Sequence, residues 1–160
     1  MAVRGRYVGG FLVFSALITG AAVYYLQVYG YYHAVEATAP AAEIRLTAIE
    51  TGAPEPILAE DFQGIDADSS PLRYRGCFRT PMSLALLTET FTVYDKATPL
   101  NAPGWFSCFD AARIGTDLET GGAVAFLSEH DIHPGVDRVV AIYPDGRAYA
   151  WQQLNDEAGK

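Results

Sequence analysis

No acidic residue precedes or interrupts the stretch Tyr7–Tyr32, although 19 follow it in this 160-residue chain. The same stretch holds no basic residue, and Gln27 is its one strongly polar side chain. Histidine and cysteine are scarce, at three and two. No Cys-x-x-Cys-His occurs, which excludes c-type haem attachment. Also missing are Gly-x-Ser-x-Gly, His-Glu-x-x-His, a phosphate-binding glycine loop and a dinucleotide fingerprint. We therefore expect no enzyme activity, no catalytic residue, no bound metal and no cofactor. Cationic surface is sparse too: 11 Lys and Arg stand against 19 Asp and Glu, for a net charge of −8. Such a surface is a poor nucleic-acid partner, because phosphate contacts need Lys and Arg.

What the chain does have is a membrane span. At 1.5 Å rise per residue, Val8–Leu26 alone covers about 28 Å, close to the hydrocarbon thickness of a bilayer. Arg4 and Arg6 stand before it. Five tyrosines (Tyr24, Tyr25, Tyr29, Tyr31 and Tyr32) crowd its far end, where amphipathic rings bridge acyl chains and water. The portion after the span carries nine basic and 19 acidic residues, a charge of −10. Cationic tails stay cytoplasmic, so the expected topology has the N-terminus in and the domain out, single-pass in a bacterial inner membrane. Gly20-Ala21-Ala22 would suit a signal peptidase, but the apolar character runs on through Tyr29, which favours an uncleaved anchor. Gly9, Val13, Ala16 and Gly20 lie along one helical face and let another helix approach closely. Ser15, Thr19 and Ala22 form a second small-residue face. The expected partners are lipid and an integral membrane protein complex.

These features divide the chain into a cytoplasmic tail (1–6), a transmembrane helix (7–32), an Ala/Pro tether (33–42) and one periplasmic domain (43–160). Within the domain, Glu43–Glu50 alternates as a strand with Ile44, Leu46 and Ala48 on one face. Pro56-Ile57-Leu58 starts a short edge strand, and Gly64–Pro71 is loop chemistry throughout. Leu72–Thr80 is the next strand. Thr80 then caps a helix with Pro81 first and Leu84, Leu87 and Phe91 buried. Thr98–Cys108 is an irregular loop carrying Trp105 and Phe106. Asp110 caps a second helix, Ala111–Thr120, which Gly121-Gly122 ends. Ala123–Leu127 is a buried strand. A hairpin follows, DRVVAIY and RAYAWQQL joined by Pro144-Asp145-Gly146. The order implies a small α+β domain with a mostly antiparallel sheet and two short helices.

Cys77 and Cys108 are most simply one disulfide in an oxidising compartment, with two buried free thiols as the alternative. Redox or copper exchange uses much closer spacing. His130-Asp131-Ile132-His133 precedes Pro134-Gly135, so it is expected as a solvated turn, and no third metal ligand is evident beside it. Asp66-x-Asp68-x-Ser70 opens like a calcium loop but meets Pro71 where the glycine is needed and Cys77 where the bidentate Glu belongs. Arg73, Arg75 and Arg79 share a strand face with Cys77. They can meet a carboxylate-rich partner or lipid headgroups, or pair with the domain's own acids. With Trp105 and Phe106 they are the interface candidates.

The layout, together with FQGIDADSSPLRYRGCF and DRVVAIYPDGRAYAWQ, resembles the short single-pass proteins of alphaproteobacteria that carry one periplasmic domain of unknown function. That resemblance implies a bacterial inner-membrane setting in which accessory proteins of respiratory or photosynthetic complexes operate. The expected function is a non-enzymatic accessory or assembly subunit of such a complex. A periplasmic ligand- or metal-binding module is the alternative.

Overall fold

A run without proline or internal charge forms one continuous helix. In the computed structural model, which describes residues 5–158, α1 spans Gly5–Tyr25 and closes in a single π-turn, Leu26–Gly30. Over Gly5–Gly30 the mean hydropathy reaches 1.8 and none of the apolar window is buried, so the helix is long and apolar enough to cross a membrane. The helical run includes Gly5 and Arg6, expected in the tail, and stops before Tyr32; Arg4 lies outside the described residues. Tyr25 and Tyr29, one turn apart, stack with ring centroids 6.0 Å apart. The described residues up to Tyr32 and those from His33 onward form two compact units, with Tyr32, at the boundary, opening the first strand.

The second unit is an α+β domain. Its six-stranded sheet runs in the order β1 (Tyr32–Val35), β4 (Glu60–Ala67), β5 (Arg75–Arg79), β8 (Arg147–Leu154), β7 (Val136–Ile142), β6 (Val124–His133). A two-stranded sheet pairs β2 (Arg45–Thr47) with β3 (Pro54–Pro56). Neighbouring strands are antiparallel from β4 through to β6. The β7–β8 hairpin lies at the centre and is buried on both faces. Val140, Ile142, Ala148 and Ala150 pack with Ile44, Leu46, Leu87 and Phe91 on one side. Val139, Ala141, Tyr149 and Trp151 pack with Phe109 and Ile114 on the other. Two apolar faces demand two covering layers. β2, Ile57 and α2 (Leu84–Thr90) supply one; α3 (Ala111–Glu119) and the loop before it supply the other.

Several elements follow their local chemistry. Asp110 caps α3, accepting from the Arg113 N–H at 3.0 Å, and Gly121 ends the helix at φ +77°. Gly146, at φ +84°, turns the hairpin; a Cβ there would sit 2.6 Å from the Thr80 carbonyl oxygen.

Other elements depart from expectation. Thr80 does not cap α2. Its N–H donates to the Gly146 carbonyl at 2.9 Å and its Oγ1 accepts from Met82 N–H, so the helix starts later, under Ser83, whose Oγ accepts from Leu86 N–H at 3.3 Å. The edge strand is Pro54–Pro56 rather than Pro56–Leu58. Gly64–Ala67, expected as loop, is the buried end of β4. There Gly64 pairs with Gly76, and the Phe62 ring lies over both: a Cβ on Gly64 would be 2.6 Å from Phe62 Cζ, and one on Gly76 3.1 Å from Phe62 Cε2. An aromatic ring thus fills the space the two missing side chains leave.

The stretch 33–42, expected as a tether, belongs to the domain. It contributes most of β1 and a 3₁₀ turn, Pro40–Ala42, with Ala42 buried and the Ala41 carbonyl accepting from the Tyr74 hydroxyl at 2.8 Å. Finally, β6 runs on through His130-Asp131-Ile132-His133. The chain turns only at Pro134-Gly135, and Asp131 at φ +48° sits in an irregularity of the β6–β7 pairing.

Candidate functional site

The arginine face divides once folded. Arg75 is buried. Its guanidinium donates to the carbonyls of Leu72 and Leu100 at 2.8 Å, Asn101 at 3.0 Å and Tyr74 at 2.6 Å, and lies 5.6 Å from the Phe109 ring centroid. It is an internal tie, not an interface residue. Sequence alternation places it beside Cys77 on the strand but cannot show that a loop closes over it. Arg73 is half-buried, while Arg79 is exposed and donates to the Asp145 carbonyl at 2.8 Å.

Cys77 and Cys108 are joined in a disulfide with Cα atoms 6.4 Å apart, in keeping with an oxidising compartment. Together with Arg75 the bond fixes residues 98–108 on the sheet. From this platform Trp105 stands 43% exposed, edge-on to the half-buried Phe106 at 6.3 Å. Exposed aromatic surface on a rigid support is what an interface anchor needs.

A second constellation was not legible as a unit in the sequence. Asp137 on β7 is buried, and its carboxylate accepts four hydrogen bonds. Oδ1 receives His130 Nδ1 at 2.8 Å, the Asp131 N–H at 3.0 Å and Asn155 Nδ2 at 2.8 Å; Oδ2 receives the Tyr94 hydroxyl at 3.0 Å. Burial alone would raise the Asp137 pKa. The donated hydrogen bonds and the neighbouring imidazole outweigh it and hold the group below the usual carboxylate range. Tyr94, desolvated and donating to that carboxylate, is pushed up to about 12.

Asn155 Nδ2 also donates to Asp131 Oδ1 at 2.9 Å, and Asn155 Oδ1 accepts from the Glu157 N–H at 3.0 Å. Ligand atoms of His130, Asp131 and Glu157 consequently lie within 4.8 Å of one another. His133 is not in this group; it ends β6 opposite Val136. The cluster edges a depression of about 400 Å³, and a neighbouring one of about 490 Å³ runs between α3 and residues 93–99.

In α1, Gly9, Val13, Ala16 and Gly20 share a face, and a Cβ built on Gly9 or Gly20 meets nothing within 4 Å. Tyr24, Tyr25, Tyr29 and Tyr31 are exposed or half-exposed at its far end, while Tyr32 opens β1.

No curated protein and no solved structure matches the chain. Residues 44–160, the folded domain from β2 onward, match the model of a family of unknown function, DUF6446, and the chain belongs to that family.

Proposed function

We propose that the protein is a non-catalytic accessory or assembly subunit of an integral membrane complex, of the respiratory or photosynthetic kind. It is anchored by α1 in a bacterial inner membrane with its domain in the periplasm. The observation that carries the reading is the small-residue face of Gly9, Val13, Ala16 and Gly20 on a long apolar helix none of whose residues is buried. In lipid there is no hydrophobic drive between helices, so such contact faces depend on close backbone packing. The disulfide supports an oxidising side for the domain. Arg6 before the span, against the acidic portion after it, supports the orientation. Trp105, held on the stapled loop, supplies a second anchor outside the membrane. The resemblance to alphaproteobacterial inner-membrane proteins suggests energy transduction as the class, and the net acidic charge after the span would favour approach of a basic soluble electron carrier.

The direct test of the helix face is a double variant, Ala16→Leu with Gly20→Leu. It keeps the span apolar but fills the face. The variant should insert normally and dissociate from its complex on native gels of solubilised membranes. Retention equal to wild type would remove the helix face from the account.

A further inference from the structure

The geometry around His130 points to a metal site, an inference independent of whether the domain docks on a complex. Asp137, 3% exposed, accepts from His130 Nδ1 at 2.8 Å. A carboxylate accepts that bond from Nδ1, which leaves Nε2 as the ring nitrogen able to ligate. Nε2 lies 3.5 Å from Asp131 Oδ2. That separation is close to what two ligands of one cation keep. With metal–ligand bonds of about 2.0–2.1 Å, the edge of a tetrahedral zinc polyhedron is roughly 3.3–3.4 Å.

We propose that His130, Asp131 and Glu157 form a surface site for a divalent transition metal of the zinc type, with Asp137 positioning the imidazole. One imidazole and two carboxylates suit zinc and its neighbours rather than calcium or magnesium, which take all-oxygen sets. A buried carboxylate behind the ligating histidine fixes the tautomer and ring orientation and raises the basicity of Nε2. Asn155 ties the set together by donating to Asp131 and Asp137 while accepting from the Glu157 backbone. Three protein ligands leave a fourth position for water or for a donor from a partner.

The test is calorimetric titration of zinc chloride into the full-length, chelator-stripped protein in mild detergent near neutral pH. Wild type should take up one zinc per chain. His130→Ala and Glu157→Gln should each weaken binding at least about 10-fold, and Asp137→Asn by about 10–100-fold. His133→Ala should leave binding unchanged. Thermal unfolding of each variant separates loss of the site from loss of the fold. Glu157→Gln, at an exposed position, should melt with wild type and so keeps the test decisive if the Asp137 variant does not fold. The proposal is overturned by wild type that takes up no stoichiometric zinc. It is equally overturned by His130→Ala and Glu157→Gln binding as tightly as wild type, or by His133→Ala weakening binding as much as His130→Ala.

Discussion

Cys77 and Cys108, 31 positions apart, tie the irregular segment 98–108 to β5. In the chain-entropy view the bond contributes about 3–4 kcal/mol, so Cys77→Ser and Cys108→Ser should lower stability by similar amounts in urea unfolding. One variant near zero would mean two independent thiols. Protein taken from cells with its thiols blocked should carry the bond already formed, because a cytoplasmic domain would be kept reduced.

Asp137 is expected to contribute to the loss of stability in acid. Its folded pKa lies below its unfolded value of about 3.9, so its contribution is present above that value and is lost as pH falls through the folded pKa. Asp137→Asn should therefore flatten the fall in stability below about pH 4, measured as unfolding midpoint against pH. An unchanged acid limb would assign it to other carboxylates. Individual residues were the hardest level to read from sequence. Arg75 and Cys77 share a strand face, yet one is an internal tie and the other half of a staple. His130 lacks an evident third ligand in sequence because Glu157 arrives only through the β7–β8 hairpin.

Elements with their own punctuation were legible: α3 between Asp110 and Gly121, and the hairpin around Pro144-Asp145-Gly146. Elements made by pairing were not. Gly64-Ile65-Asp66-Ala67 reads as loop because its Gly and Asp favour turns. It becomes strand because β5 pairs with it and Phe62 covers both glycines. The start of α2 was misplaced for a similar reason, since the hairpin turn takes Thr80 before the helix can use it. That shared turn makes a prediction. At Gly146 a side chain meets positive φ and a backbone oxygen that cannot yield, so Gly146→Ala should destabilise the domain by about 2 kcal/mol or more in urea unfolding. An effect within about 0.5 kcal/mol would show the turn to be tolerant.

For the whole molecule, a helix fit to cross a membrane and a disulfide-stapled α+β domain belong to one chain. The long apolar helix was legible because length and apolar composition alone decide it. The domain's class was legible from the order of its segments. Which surfaces meet a partner was not, since that depends on side chains brought together from distant positions. The most direct measurement is quantitative mass spectrometry of the full-length protein purified from its native membranes in mild detergent. The account predicts integral membrane subunits of an energy-transducing complex in near-equal amount with the chain. A chain that purifies alone, well folded and with its disulfide intact, would contradict it.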